Sequence, residues 1–226
     1  MGREDWYRRT TWTPEDQADF FRRLGRTRSD SYKAQRCRVQ ALCLEKTGDP
    51  ERILAAVGLL RLVLKHWPDP QFELAGVHWG LAGCLEKLGR TEEALESLRN
   101  SIAAQREFPN MTTSAFLDFG WLVIRQNRTD LFEESIALLR EFGLVDLDQG
   151  PPTEQYRYAA VCAVVADHTG QMDLARQWAR LAVGAAKVAT KNSWRYPGWI
   201  APSIPPDAGI HDRLEVLAGD PVSPSE

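Results

Sequence analysis

Apolar residues recur along most of this chain at intervals of three and four with polar residues between, the mark of helices that bury one stripe. The clearest case is residues 72–109. There His78, Leu81, Ala82 and Leu85 fall at i, i+3, i+4 and i+7, and Ala94, Leu98, Ser101 and Ile102 form a second stripe. Between them stands Leu88-Gly89-Arg90-Thr91. Glycine takes the left-handed conformation of a helix C-cap at little cost, so Gly89 is expected to end the first helix. Thr91 is expected to cap the second, with Glu92 and Glu93 in a first turn whose dipole favours carboxylates. Pro109 closes the unit. The stretch predicts two antiparallel helices.

The pattern returns on both sides. Upstream, Cys37, Gln40, Ala41 and Leu44 form a stripe that stops at Lys46-Thr47-Gly48, and Asp49-Pro50 restarts a helix. The face of that helix reads either as Ile53, Val57 and Leu60 or as Ala55, Leu59 and Leu62. Downstream, Phe116, Phe119, Gly120 and Val123 precede Asn127, which stands where a turn glycine would be. Thr129-Asp130 then restarts a helix bearing Phe132, Ile136 and Leu139, and Phe132 is large enough to suggest a wider helix pair. Residues 143–152 read as a loop. The last copy starts with Thr153 as its cap, carries Ala159, Cys162, Ala163 and Ala166, turns at Gly170, and returns through Ala175, Ala179 and Ala182. The turn residues Gly48, Gly89, Asn127 and Gly170 lie 38 to 43 residues apart.

This arrangement resembles the tetratricopeptide repeat, with its pattern W-x2-L-G-x2-Y, then A-x3-F, then P. In residues 72–109 Leu81 takes the leucine slot, Ala82 the small slot, Leu85 the tyrosine slot, Ala94 the alanine slot and Leu98 the phenylalanine slot. His78 departs from the family tryptophan, which here comes one residue late as Trp79, and Pro109 comes about three residues late. The family's minimal repeat is about 34 residues, so longer helices or loops are expected here. The resemblance covers roughly residues 31–190 and implies an all-α fold, a right-handed superhelical stack of about four helix pairs. Residues 1–30 are expected to form an N-terminal arm and capping helix, residues 31–190 the repeat region, and residues 191–226 a Pro/Trp-rich C-terminal extension.

The two ends differ from the middle. Arg3, Trp6, Tyr7, Arg8, Arg9 and Trp12 lead into a helix that opens with Thr13 as cap and Pro14 at its first position, carries Phe20, Phe21 and Leu24, and ends near Gly25. Through residue 40 the chain has 10 Lys and Arg against 6 Asp and Glu. An amphipathic cap over the open end of a helical stack explains this better than a nucleic-acid arm, because terminal repeats need a polar outer face. At the other end, Trp194, Tyr196 and Trp199 stand among prolines, in a segment expected to be extended and to pack on the last helix pair or fold into the groove. Residues 207–217 can form one more short helix.

Composition changes little in this picture. Net charge is −3, hydrophobic content 43% and charged content 26%, values ordinary for a soluble protein that bind it to neither nucleic acid nor an anionic membrane. The first dozen residues have no apolar core of a secretion signal. Cys37, Cys43, Cys84 and Cys162 form no CxxC and read as buried thiols in a reducing compartment, so a cytoplasmic location is expected. His66, His78, His168 and His211 lack ligand spacing. Phosphate-loop, dinucleotide, zinc-protease and nucleophile-elbow motifs are missing. No catalytic residue, metal site or cofactor is expected.

In tetratricopeptide proteins the leading helix of each pair lines the concave face, with groove residues one position after the tryptophan, glycine and tyrosine slots. Carried onto this chain, the resemblance implies a partner-binding groove built from Arg38, Glu45, Trp79, Gly83, Glu86, Leu117, Trp121, Arg125, Arg157 and Asp167, with Leu42, Ile124, Ala160 and Val164 among them. Trp79 and Trp121 would lie on neighbouring leading helices, with Gly83 leaving room across from Trp121. Exposed tryptophan beside arginine is the composition of a binding hot spot. The expected function is a non-enzymatic scaffold or adaptor that holds a protein or peptide partner. Two alternatives stand beside it: an inhibitor or immunity-type protein that neutralises one enzyme, and a nucleic-acid-associated regulator acting through the basic N-terminal region.

Overall fold

The computed structural model describes residues 5–67, 74–143, 151–191 and 208–219. Among them are ten α-helices, two short 3-10 turns and no strand, so the protein is all-α. It falls into two compact units, Met1–Ala115 and Phe116–Glu226.

In the first unit a 3-10 turn (Asp5–Tyr7) leads to α1 (Pro14–Gly25), then to the hairpins α2 (Asp30–Glu45) with α3 (Pro50–His66) and α4 (Leu74–Lys87) with α5 (Thr91–Glu107). α4 packs on α3 and also touches α2. Thr13 caps α1 as expected: its hydroxyl accepts from the Asp16 N–H while the Asp16 carboxylate accepts from the Thr13 N–H, a reciprocal capping box. Asp49 caps α3, accepting from the Arg52 N–H at 3.0 Å, with Pro50 at the first helical position.

The inner stripes are largely where the periodicity put them, with His78, Ile136 and Cys162 only half-buried. Cys37, Gln40, Ala41 and Leu44 are at most 1% exposed, and Leu81, Ala82, Leu85, Ala94, Leu98, Ser101 and Ile102 are all buried. On α3 the first of the two registers is fully buried, at Ile53, Val57 and Leu60, whereas of the second only Leu59 is buried and Ala55 and Leu62 are half-buried. The polar members of the stripe are satisfied. Gln40 exchanges two hydrogen bonds with the Arg9 backbone, accepting from its N–H at 3.0 Å and donating to its carbonyl at 2.7 Å, and thereby ties down the N-terminal arm. The Ser101 hydroxyl donates to the Ala75 carbonyl at 2.8 Å. His78 differs: its Nδ1 is buried without a hydrogen-bond partner, and burial lowers its pKa below the ordinary histidine value.

All four turn residues adopt the left-handed conformation, with φ of 72° at Gly48, 72° at Gly89, 50° at Asn127 and 73° at Gly170. Three of the turns share one hydrogen-bond scheme. The N–H after the turn residue reaches back to the carbonyl of the fourth residue in the inner stripe, Arg90 to Leu85, Arg128 to Val123 and Gln171 to Ala166, at 2.9, 3.0 and 2.9 Å. This is the Schellman pairing. At the first turn the Thr47 hydroxyl donates to the Leu44 carbonyl at 2.6 Å instead.

Two expected caps are corrected. Thr91 is the first helical residue of α5, and Arg90 holds the N-cap position without a side-chain cap. The Schellman pairing uses Arg90 as its last residue, so one residue serves both helix ends, and the Arg90 guanidinium holds Glu93 by two bonds of 2.6 Å. Thr153 likewise lies inside α8 (Pro152–His168), because Pro152, whose fixed φ suits a first helical position, starts that helix one residue earlier.

The second unit contains α6 (Ala115–Arg125), a 3-10 turn (Thr129–Leu131), α7 (Phe132–Phe142), α8, α9 (Met172–Lys191) and α10 (Ala208–Ala218). α8 and α9 form a hairpin whose facing residues Ala159, Ala163, Ala175, Ala179 and Ala182 are at most 1% exposed, as close helix packing requires. α10 is the short final helix the sequence allowed. It packs on α9 and touches α8, as α4 does on α3 and α2. The expected placement of Trp194, Tyr196 and Trp199 lies outside the described residues.

Candidate interaction faces on the leading helices

In the first unit the candidate residues meet on α2 and α4. A Cβ built on Gly76 would stand 3.6 Å from the Arg38 side chain, and one on Gly83 would stand 3.2 Å from Glu45 Oε1. Two glycines seven residues apart on α4 thus receive two long side chains seven residues apart on α2, which fixes the register of the two helices. Gly83 was expected to leave room for a tryptophan, and that room is taken by the Glu45 carboxylate. Lys87 holds the carboxylate there at 2.9 Å. The same register sets Leu42 level with Trp79 and Gly80. Leu42 is 42% and Trp79 39% exposed. The face therefore presents two partly exposed apolar side chains, Leu42 and Trp79, between Arg38 on one side and the Glu45–Lys87 ion pair on the other, with Glu86 half-buried further along α4.

The second unit treats its candidates differently. Leu117 is 1% and Trp121 8% exposed, so neither presents an open binding surface. Tyr156 of α8 meets Trp121 edge-on at 5.8 Å, and the Arg157 guanidinium lies 5.8 Å from the Trp121 ring centroid. Arg157 is itself fixed by Asp118 of α6, to which it donates at 2.8 Å. The Trp–Arg pair that reads as a hot spot is a stacked contact between α6 and α8. Ile124, Ala160 and Val164 are buried too. Asp167 pairs with Arg213 of α10, accepting from its Nε at 3.0 Å. The Tyr156 hydroxyl lies 3.3 Å from His211 Nδ1, and Leu214 of α10 is fully buried. Of the second-unit candidates Arg125 remains exposed. The sequence anticipates the α10 helix but not its packing against α8, nor the part played by Asp118, although Ile210, Leu214 and Leu217 carry an i, i+4, i+7 stripe.

The basic N-terminal region is largely engaged within its own unit. Arg9 bridges Asp16 and Asp19, and Arg36 stacks over Trp6, Tyr7 and Tyr32. Hydrogen bonding from Thr11, with the Thr13 backbone and Arg9 adding to it, holds Asp16 at about 2. Burial pushes the Cys37, Cys84 and Cys162 thiols up to about 12, which keeps them protonated and weakly nucleophilic. Among the described residues no three His, Cys, Asp or Glu side chains are grouped to hold a metal ion, and no helix is long and apolar enough to cross a membrane. Set against protein-family models, curated proteins and solved structures, the chain matches none.

Proposed function

We propose that this chain is a cytoplasmic, non-enzymatic interaction scaffold of the tetratricopeptide-repeat kind. In this reading its helix pairs stack in a right-handed superhelix, and the leading-helix face of the first unit holds a segment of a partner protein. The observation that carries the proposal is the α2–α4 face, where Trp79 and Leu42 are each about two-fifths exposed between charged posts seated over Gly76 and Gly83. A large, rigid aromatic with apolar company and a charged rim is the make-up of a protein-binding hot spot. The family reading is supported by the left-handed turn residues and by the alanine-lined α8–α9 pair.

The partner segment suited to this face has an apolar side chain for Leu42 and Trp79. Glu45 is already neutralised by Lys87 and adds little attraction for a base. The test places a photo-crosslinking residue at Leu42 and, as a control, at exposed Glu96 on α5, and then measures the affinity of whatever Leu42 alone captures. Trp79→Ala should weaken that partner at least tenfold, about 1.4 kcal/mol. A loss of less than about fivefold, roughly 1 kcal/mol, would remove Trp79 from the hot-spot role.

A further inference from the structure

The second unit carries a feature that the leading-helix face does not use. An open apolar trough of about 1040 Å³ runs between α7 and α9 with α8 as its floor. Phe132 and Ile136 form one wall, Leu174 and Trp178 the other, and Cys162 and Val165 the floor. We propose that this trough docks an amphipathic helix of a partner protein, with a basic residue of that helix toward Glu133 and an acidic residue toward Arg140.

Three observations carry the assignment. The first is polarity. Phe132, Ile136, Leu174 and Trp178 give the walls an apolar centre, with Leu174 40% exposed, while the floor is neutral, since burial raises the pKa of both Cys162 and Tyr158. The second is charge. Glu133 and Arg140 both line the trough, seven residues apart on α7, which is about 10.5 Å along a helix axis. Among the described residues neither is held in an ion pair. Opposite charges set two turns apart match a helix whose own charges, also two turns apart, run in the complementary order. The third is shape. The Phe132 ring meets His168 edge-on at 5.1 Å, and at the other end a Cβ on Gly143, just past α7, would lie 3.8 Å from the Tyr158 hydroxyl. These contacts set α7 antiparallel to α8, and the α8–α9 hairpin makes α9 antiparallel to α8 in turn. Two parallel walls over an apolar floor form a groove that takes a helix by anchors at i, i+3, i+4 and i+7. A small ligand is more usually enclosed.

This site does not rest on the Trp79 face, and the two are separable by experiment. A displayed library of amphipathic helices about four turns long, with randomised charges flanking a fixed apolar stripe, is selected on the full-length chain. Enriched peptides should carry a base and an acid about two turns apart. Leu174→Asp, at an exposed position, should weaken them at least tenfold. Arg140→Glu should weaken them severalfold and be rescued when the peptide acid becomes Lys, while Trp79→Ala leaves them unchanged. Four results would overturn the proposal. These are no enrichment, binding indifferent to Leu174→Asp and Arg140→Glu, saturable uptake of an apolar dye without peptide binding, and self-association in sedimentation that Leu174→Asp abolishes, which would make a second copy the occupant.

Discussion

Trp79 and Trp121 both follow an inner-stripe position on a leading helix, and both have arginine nearby in space or sequence, yet the two units use them in opposite ways. On α4, Trp79 stands beside glycines, and the charged side chains of α2 settle into the glycine gaps on either side of it, so the ring stays partly in water. On α6, Trp121 meets Tyr156 and an Arg157 already fixed by Asp118, and it is covered. The difference lies in the neighbouring leading helix. α2 offers long, polar side chains that leave the apolar centre open. α8 offers an aromatic ring and a guanidinium anchored by a carboxylate, and α10, packed mainly on α9, reaches α8 through Tyr156 and Asp167. One face leaves its tryptophan partly exposed, and the other is already covered.

The strongest way to break this contrast is to remove the cover. Leu214→Asp places a charge at a fully buried position and should cost α10 docking about 4 kcal/mol or more. Hydrogen exchange in residues 208–218 should then rise toward that of an unfolded segment, while α2 to α5 keep their protection. Unchanged protection would mean that α10 is not held by its apolar stripe.

A smaller effect, of opposite sign in the two units, is expected at two glycines. A Cβ on Gly120 would lie 3.2 and 3.3 Å from the methyls of Val161, whereas one on Gly83 would meet only the movable end of Glu45. A β-branched side chain in a buried helix contact cannot yield, so Gly120→Ala should destabilise by about 1 kcal/mol net of the helix-propensity gain. Gly83→Ala should stabilise by up to about 1 kcal/mol, because alanine is the better helix former and Glu45 can shift. Urea denaturation of both variants reads the sign.

The smallest expected effect is one of pH. His78 has its pKa lowered by burial, so the unfolded chain takes up a proton below about pH 6.5 before the folded one does. Stability is therefore full above that value and falls as pH drops through the folded pKa. His78→Leu should flatten the decline in urea midpoint between pH 7 and pH 5. An unchanged slope would place the decline on other groups. Asp16, held at about 2, acts only lower, where stability present above the ordinary aspartate range is lost as pH falls toward 2.

Much of the fold was legible because its determinants are local. A left-handed turn residue, a proline at a helix start and a stripe at i, i+3, i+4 and i+7 act through neighbours a few residues away, so Gly48, Gly89, Asn127 and Gly170 could be read directly. Thr91 and Thr153 were misread as caps for a related reason. Each was a good cap in isolation, but an adjacent Schellman turn or a proline had already set the helix start. The candidate site was half legible. Exposure of Trp79 and burial of Trp121 depend on partners about 34 and 35 residues away in sequence, Glu45 filling the gap at Gly83 and Tyr156 against Trp121, and no local pattern separates the two. Helical periodicity explains where the helices lie, but not what the next helix lays against them.

The most direct test of the contrast is the stability of Trp79→Ala and Trp121→Ala measured side by side by urea denaturation. Trp121→Ala leaves a cavity among Tyr156, Arg157 and Asp118 and should cost about 3–5 kcal/mol. Trp79→Ala removes a ring that is already 39% exposed and should cost about 1 kcal/mol or less. Equal losses, or a greater loss at Trp79, would contradict the claim that the first tryptophan belongs to a binding face and the second to the core.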